Sequence, residues 1–288
     1  MSEDVKKSQK DGGKGQKNGD NEDKWKFKQD RRELTGQEKQ WKKIAYIIFI
    51  GFLTLFIGQI LVYTFVFDIN DWVGILIIFI VLVMPAYLSN AGMLMMGGGK
   101  PMDGGKMAKD GRRLFGPGKT WRGFILGPLV WGIGVSLIIH SIFYLNWDKL
   151  VPYIFGLFDG ENTYDLIDRS GQAAVDLYQL YLIGGTHDSM VVNFILLFLR
   201  VTIVSFGAAT GDLIGSWLKR RLDRKRGEPV WLVDQLDFII FVLLCAMPFV
   251  PINVDYLTIV IFSLIFTPSL TVCANMIAYA LGHKSVPY

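Results

Sequence analysis

The sequence has few of the residues from which metal centres and disulfide frameworks are built. Its 288 residues include only two cysteines, Cys245 and Cys273, and they do not form a CxxC pair. Both lie in apolar runs, so we predict buried thiols rather than a disulfide framework or a zinc site. The three histidines, His140, His187 and His283, are scattered, which excludes a metal centre built from a histidine cluster.

Charged residues are also scarce. Asp, Glu, Lys and Arg make up 19% of the chain, whereas a soluble domain carries about 25%. Hydrophobic residues reach 51% and the mean hydropathy is +0.33, so apolar runs near 20 residues long are predicted to span a membrane. No secretory signal peptide is visible, because the chain opens with a polar tail. We therefore predict an all-α, polytopic integral membrane protein.

The apolar runs predict about six transmembrane helices. Residues 1–40 form a polar N-terminal tail that cannot bury enough apolar surface to offset its ordering entropy, so we predict that it is disordered. Residues 41–70 hold an additional N-terminal span, and residues 71–288 form the rest of the membrane-embedded domain. The predicted spans are 44–67, 72–95, 123–145, 190–218, 237–250 and 256–280, of which 237–250 is short.

The loops between these spans differ in charge. Residues 97–122 carry seven Lys or Arg and two Asp, and residues 219–228 carry six Lys or Arg and two acids, whereas residues 146–189 carry seven acids and two bases. Since basic loops stay in the cytoplasm, we predict a multi-pass cell-membrane protein with both basic loops and both termini cytoplasmic and the acidic stretch outside. Arg200 interrupts the fourth span. Either it faces a polar interior or partner, or residues 190–199 are a separate re-entrant or interfacial piece.

The second basic block, which we define as residues 211–221 together with residues 234–237, contains the residues best suited to chemistry. Asp212, Ser216 and Lys219 are spaced i, i+4 and i+7, which places them on one face of a helix. Asp234 and Asp237, three residues apart, share a face at the start of the next span. Three carboxylates from two segments suit Mg²⁺, a hard cation that takes oxygen ligands and substrate phosphates. The alternative is that these acids are interfacial anchors paired with neighbouring Lys and Arg.

The first basic block, which we define as residues 97–123, is rich in glycine and contains nine glycines. Glycine lets the backbone approach a ligand and expose N–H groups to anions, and Lys and Arg add charge-assisted donors for phosphates. We predict nucleotide binding here; the alternative is a topogenic loop that binds lipid headgroups. A P-loop is rejected, because Arg113 stands where that motif needs a glycine before Lys119. The side chains suited to phosphate oxygens are those of Lys100, Arg112, Arg113, Lys119 and Arg122.

Five stretches of the two basic blocks, together with the C-terminal residues, are similar in sequence to a known family. They are Gly99–Gly105, Asp110–Arg113, Gly116–Gly123, Gly211–Arg221, Asp234–Asp237 and Asn275–Tyr288. In these stretches, and over roughly residues 72–145 and 190–288, the chain resembles the CDP-archaeol synthases, CTP-dependent enzymes related to CDP-diacylglycerol synthases.

The resemblance implies a membrane cytidylyltransferase that joins CTP to digeranylgeranylglyceryl phosphate and releases pyrophosphate, with Mg²⁺ as cofactor. The implied partners are CTP, an isoprenoid ether lipid phosphate and membrane lipids, with no nucleic acid; the oligomeric state is left open. The family pattern has five spans, so the tail, the first span and the acidic stretch 146–189 are expected to be additions of this chain. In the implied site, Asp212, Asp234 and Asp237 bind the metal, and Lys219 and Arg220 neutralise phosphates. The residues implied to bind the nucleotide are Lys100, Asp103, Arg113, Lys119, Thr120, Arg122 and Ser216.

Two alternatives remain at this point. A CDP-diacylglycerol synthase would perform the same chemistry on an ester phosphatidate, and only the lipid tails would differ. A transporter would be expected to show internal repeats and charges spread through mid-membrane positions. In this sequence the charges instead gather at one face of the predicted bundle, which favours an enzyme.

Overall fold

The computed structural model describes residues 34–67, 69–157, 172–224, 228–282, 284 and 286–288. Within these residues the regular structure is helical, apart from two isolated β-bridges in the loop that follows the second helix. The predicted all-α class is therefore confirmed. The helices are α1 Gly36–Val66, α2 Ile69–Met95, α3 Trp121–Leu126, α4 Ser136–Leu145, α5 Trp147–Leu157, α6 Gln172–Ile183, α7 Met190–Arg221, α8 Val233–Ala246 and α9 Val254–Ala280.

Five helical segments of the described chain are long and apolar enough to cross a membrane: Gly36–Val66, Trp72–Met95, Trp121–Leu145, Met190–Arg221 and Tyr256–Ala280. The remaining predicted span, 237–250, corresponds to α8 and the short 3-10 helix Met247–Phe249. At 1.5 Å per residue, the 14 residues of α8 cover about 21 Å, less than the roughly 30 Å hydrocarbon core. The expected set of about six is thus five full-length spans and one short helix.

The first helix begins earlier than the sequence pattern predicts. Thr35 caps α1 and forms a reciprocal capping box with Glu38, whose carboxylate accepts the Thr35 N–H at 2.9 Å. Two donors that a helix start leaves unpaired are satisfied in this way. Residues 36–40, predicted as part of a disordered tail, are therefore helical, and the tail up to residue 33 lies outside the described residues.

Both basic blocks and the outer helices meet at one end of the bundle, which we call the basic end. Lys42, near the start of α1, donates a hydrogen bond of 2.8 Å to the Tyr279 hydroxyl near the end of α9. Arg112 of the first block donates to the Arg221 carbonyl at the end of α7, at 2.5 Å. The structure therefore brings together the segments that were predicted to share the cytoplasmic face.

The core lies where α2 packs against α7, α8 and α9. The middle of α2 faces these helices with aliphatic and aromatic side chains that are almost fully buried. The fully buried members of this cluster include Ile75, Ile78, Phe79 and Val83 of α2, Ile239 and Val242 of α8, and Ile259 and Phe262 of α9. This packing holds the basic end of α7 and α8 in a fixed relation to the loop after α2.

A π-helical segment, Gly127–Val135, joins α3 to α4 and packs closely on α2. A Cβ atom added to Gly127 would lie 2.6 Å from the backbone nitrogen of Met93, and one added to Gly92 would lie 2.7 Å from the Cβ of Trp131. Such distances leave no room for larger residues. The start of α3 is thereby held against the end of α2, at the basic end.

Arg200 lies inside the continuous helix α7, so residues 190–199 do not form a separate piece. Its buried guanidinium donates to the carbonyls of Leu180 and Tyr181, at 2.7 and 2.5 Å, in the last turn of α6. His140 contacts the next carbonyl. The last carbonyls of a helix lack partners within it and attract cations. Of the two sequence-based alternatives, the structure therefore supports Arg200 facing a polar feature of the interior.

The acidic stretch 146–189 was predicted as a loop outside the membrane, and its described part is largely helical. It contains α5 and α6, while residues 158–171 lie outside the described residues. α6 buries Tyr178 and Tyr181 in the main core against α2. The described part of this stretch is therefore more structured than a loop, because α6 carries enough apolar surface to pack into the bundle. Its position outside the membrane stays a prediction.

Candidate active site at the basic end

Glycines of α7 allow α8 to approach it closely. Gly207, Gly211 and Gly215 are four residues apart and lie on one face. A Cβ atom on Gly215 would lie 2.1 Å from the Oδ2 atom of Asp237, and one on Gly211 would lie 3.0 Å from the Cα of Phe238. Sequence analysis did not assign this role to the glycines. The GxxxGxxxG spacing was the signal, since small residues at this interval permit close helix packing.

The predicted carboxylates converge at this helix pair. Asp212 of α7 pairs with Lys119, which comes from the first basic block. Asp234, in the first turn of α8, pairs with Lys219 of α7 at 2.9 Å. Asp237 lies against Gly215 between these two pairs and has no ion pair within 4 Å among the described residues. The two basic blocks, distant in sequence, therefore form one site.

The carboxyl group of Asp237 is the least compensated charge of this site. Burial, together with the nearby carboxylates of Asp212 and Asp234, raises its pKa to about 6. The Phe238 N–H, which donates to it at 2.7 Å, and the charge of Lys219 act in the opposite direction. Carboxylates crowded in this way are typical of functional sites that receive a cation or a proton.

The three-carboxylate metal cage predicted from the sequence is not closed in this structure. Among the described residues, no three Asp, Glu, His or Cys side chains are close enough to hold a metal ion. Two of the predicted ligands, Asp212 and Asp234, are instead held by lysines. Mg²⁺ commonly takes only one or two carboxylates and completes its shell with water and substrate phosphates. The donor set fits that mode, and metal binding stays a prediction.

Asp103 and Arg113 were predicted to bind the nucleotide, but in the structure their side chains form an ion pair with each other. Arg113 donates from Nε and Nη2 to the two carboxylate oxygens of Asp103, both at 2.8 Å, and the N–H groups of Gly105 and Phe115 donate at 3.0 and 3.1 Å. The Asp103 side chain has no exposed surface. The Arg113 guanidinium holds the pKa of that carboxyl well below its usual range. This pair shapes the loop, so any contribution of Asp103 to ligand binding would be indirect.

Thr120 also has a structural role. It caps α3, since its hydroxyl accepts the Gly123 N–H at 3.2 Å, and it is buried. The Met102 N–H donates to the Lys119 carbonyl at 2.8 Å, which closes the loop just before α3. Thr120 therefore fixes the position of Lys119, its neighbour in sequence.

The first block docks directly on the end of α7. Ser216 accepts the Gly116 N–H at 3.2 Å. Arg221 binds Asp110 at 2.6 Å and donates to the Arg113 carbonyl at 2.7 Å. Ser216 is buried, so the structure uses this predicted ligand-binding hydroxyl to join the two blocks.

The other predicted cations differ in exposure. Lys100 and Arg122 are exposed at the basic end and pair with no acid among the described residues. Arg220 is half-buried, and its Nε atom has no hydrogen-bond partner in the described part of the chain. These side chains remain available for an anionic ligand.

A small cleft opens beside the Lys119–Asp212 pair, between α2, α3 and α7. Its volume is about 110 Å³, and polar and apolar side chains share its wall. Lys119, Asp212 and Asn90 line one part, and Met93 and Phe124 line another. The cleft therefore brings polar groups of the site next to apolar side chains.

The described chain is a bundle of helices long and apolar enough to cross a membrane, with acidic and basic side chains gathered at one end. The family model described as CarS-like CDP-archaeol synthase matches residues 72–158 and 171–288. The CDP-archaeol synthase of Thermococcus gammatolerans is 36% identical over 206 residues, which cover 72% of this chain and 92% of that protein. That of Methanocaldococcus jannaschii is 36% identical over 204 residues, 71% of this chain and 92% of that protein.

The chain therefore belongs to the CDP-archaeol synthase family, and it is an enzyme of the CTP-dependent nucleotidyltransferase class. A solved structure of an intramembrane enzyme for archaeal membrane lipid biosynthesis is 27% identical and covers 68% of this chain and 91% of that chain. Its TM-score of 0.41 is too low to carry a structural argument.

The family match does not cover the whole chain. Residues 1–71, which include α1, precede the match. Within the acidic stretch 146–189, only residues 159–170 fall outside it. α6 belongs to the matched region. That α1 and an acidic insertion are additions of this chain stays a prediction.

Proposed function

We propose that this enzyme transfers CMP from CTP to digeranylgeranylglyceryl phosphate, giving unsaturated CDP-archaeol and pyrophosphate. The observation that carries the proposal is the meeting of both basic blocks with three aspartates of α7 and α8 beside an intramembrane cleft. The Lys119–Asp212 pair joins the two blocks directly. Cations that can neutralise a triphosphate thus lie next to a cleft suited to a lipid phosphate. Family membership supports the same reaction.

In the proposed reaction, an oxygen of the lipid phosphate attacks the α-phosphorus of CTP. The bond from the α-phosphorus to the oxygen bridging to the β-phosphate breaks, and pyrophosphate leaves with the bonding electrons. The protein contributes mainly positioning and charge neutralisation. Lys219 and Arg220 would neutralise the triphosphate, and Lys100, Lys119 and Arg122 would donate hydrogen bonds to phosphate oxygens.

We include Mg²⁺ as the cofactor, held by Asp237 with Asp212 or Asp234. When bound, the ion would supply further neutralisation of phosphate charge. The raised pKa of Asp237 supports this assignment, because a cation nearby would favour the ionised carboxylate. Lys119 and Lys219 can then exchange their carboxylate partners for substrate phosphates.

We also propose that the basic end faces the cytoplasm, with both termini on that side. The excess of Lys and Arg in residues 97–122 and 219–228 supports this orientation. CTP would then reach the site from the cytoplasm, and the lipid phosphate would reach it from within the inner leaflet.

The proposal is tested with the purified full chain in detergent. Incubation with CTP, Mg²⁺ and digeranylgeranylglyceryl phosphate should release pyrophosphate and yield a CDP-lipid detectable by mass spectrometry. The second substrate is an ester phosphatidate, which also carries two hydrocarbon chains. Equal or higher turnover on it would favour the CDP-diacylglycerol synthase alternative. Absence of a CDP-lipid from both substrates, in protein that remains folded, would contradict the proposal.

A further inference from the structure

The helix α1, which lies outside the family match, reaches the basic end with its first turns. The ring of Trp41 meets the ring of the C-terminal Tyr288 edge-on, with centroids 6.0 Å apart. Tyr288 in turn meets Trp231, just before α8, with centroids 5.9 Å apart. Three rings from α1, the C-terminal segment and the loop before α8 therefore form a continuous contact. We call Trp41, Tyr288 and Trp231 the aromatic clamp.

Contacts along its length hold α1 against α9. The Ser269 hydroxyl donates to the Phe52 carbonyl at 3.1 Å, and the rings of Phe56 and Phe266 lie 5.7 Å apart. Near the basic end, Lys42 binds the Tyr279 hydroxyl. Because α1 is fixed in this way, Trp41 is presented to Tyr288 from a rigid helix.

The clamp ends at a strained turn. Leu232, next to Trp231, has φ 68° and ψ −41°, a backbone conformation that is unfavourable for a residue with a Cβ atom. Such a conformation persists only when the surrounding structure holds it. Trp231 packed against Tyr288 supplies a contact on one side of Leu232.

The same turn places Asp234 in the site. The carboxylate of Asp234 accepts the Val230 N–H at 3.2 Å and pairs with Lys219 at 2.9 Å. A second link runs from Trp41 to the end of α7, where the Arg224 guanidinium lies 5.9 Å from the Trp41 ring centroid. The Arg224 N–H donates to the Lys219 carbonyl at 3.0 Å. Both members of the Asp234–Lys219 pair are thus connected to α1.

We propose that the aromatic clamp lets the added helix α1 position Asp234 and Lys219 for the triphosphate. The inference rests on the proposed function only in assigning CTP as the ligand of this pair. Trp41, Tyr288 and Trp231 are positioning residues, because they act through the turn at residues 230–234 and have no assigned contact with substrate. Loss of a ring loosens the turn, so Asp234 and Lys219 spend less time at the positions from which Lys219 can pass from Asp234 to a phosphate of CTP.

The test compares Trp41→Ala, Tyr288→Ala and Trp231→Ala in the purified full chain. An aromatic contact of ordinary strength predicts a rise of about two- to tenfold in the KM for CTP, with the KM for the lipid phosphate unchanged. Trp41→Phe keeps a ring and should restore most of the CTP affinity. Ile47→Ala is the matched control, since Ile47 lies on the same helix and is 68% exposed on its surface.

A double variant tells whether Trp41 and Trp231 affect the KM for CTP through one shared contact or independently of each other. If the rings act as one unit, Trp41→Ala combined with Trp231→Ala raises the KM for CTP no more than the larger single change. A KM for CTP in Trp41→Ala equal to that of Ile47→Ala would overturn the inference, and so would equal rises in both KM values.

Hydrogen exchange keeps the test decisive if the chain makes no CDP-lipid. Faster exchange of the amides of residues 230–234 in Trp41→Ala than in Ile47→Ala supports the clamp, and equal exchange overturns it. The failure of the proposed function and the failure of the clamp are therefore distinguishable.

Discussion

In the loop between α2 and α3, Asp103 is enclosed by Arg113 and two backbone N–H groups, whereas in α8 Asp237 is buried beside two other carboxylates. The environments shift the two pKa values in opposite directions. Arg113 lowers that of Asp103, and burial raises that of Asp237 from 3.8 to about 6. A charge that is satisfied within the fold stabilises it, and a charge left uncompensated is kept for a ligand. The Asp103–Arg113 pair therefore serves the folding of the loop, and we propose that Asp237 of α8 is kept for a ligand.

The largest expected effect is the loss of activity in Asp237→Asn. Removal of a preorganised charge from the site should lower turnover about 100- to 1000-fold. Stability should behave differently. Because the folded pKa is raised from 3.8 to about 6, ionisation of Asp237 disfavours the folded state progressively as the pH rises between these values. At pH 7 with EDTA, the variant should therefore melt no lower than the unmodified chain.

CDP-lipid production and thermal melting, measured from pH 4 to pH 8, test this pair of expectations. The difference in melting temperature should shrink as the pH falls through about 6 towards 4. Near-normal turnover in Asp237→Asn would remove the metal assignment. A large loss of stability at pH 7 would show that Asp237, like Asp103, serves the fold.

The second expected effect concerns the close approach that brings Asp237 to α7. In Gly215→Ala, the new methyl group would start 2.1 Å from the Asp237 carboxylate, so α8 or the side chain must shift. A displacement of about 1 Å can cost roughly 100-fold in rate, and we expect a loss up to this size with lower thermal stability. Gly51→Ala is the control, since nothing lies within 4 Å of its added Cβ atom. Equal turnover and equal melting temperatures of the two variants would contradict the role of Gly215 in the close approach of α8 to α7.

The sequence predicted those parts of the site that depend on local spacing. Asp212, Ser216 and Lys219 share a face because helical periodicity requires it, and the structure confirms this arrangement. The pairing of Lys119 with Asp212 depends on two segments 93 residues apart, and spacing within one helix carries no information on it. The charge pattern placed both blocks on one face of the membrane, and the family resemblance implied a single site, but neither identified this pairing.

Two other features depended on tertiary contacts that the sequence does not encode locally. Arg200 is accommodated by the carbonyls that end α6, and nothing near it in sequence identifies these partners. Asp103 and Asp237 were both predicted to belong to the site, and only the structure separates the saturated carboxylate from the crowded one. Charge counts could locate the site, but they could not divide its residues between folding and binding.

The smallest expected effect on activity is that of Asp103→Asn, which tests the other side of the comparison. The substitution keeps the shape of the side chain and removes the charge that Arg113 and two N–H groups bind. Because Arg113 is partly exposed, we expect a loss of about 2 kcal/mol, below the range for fully buried pairs. Turnover in the protein that remains folded should fall far less than in Asp237→Asn.

The pH dependence of this loss has the opposite sign to that of Asp237. The pKa of Asp103 is lowered from 3.8, so the stability that it contributes is present above about pH 4 and declines as the pH falls further. Asp103→Asn should therefore melt lower than the unmodified chain at pH 5 to 8, and the two should converge in stronger acid. If Asp103→Asn instead has an unchanged melting temperature and no turnover, Asp103 takes part in substrate binding, as the sequence first indicated. The two aspartates would then no longer differ in serving the fold and the ligand.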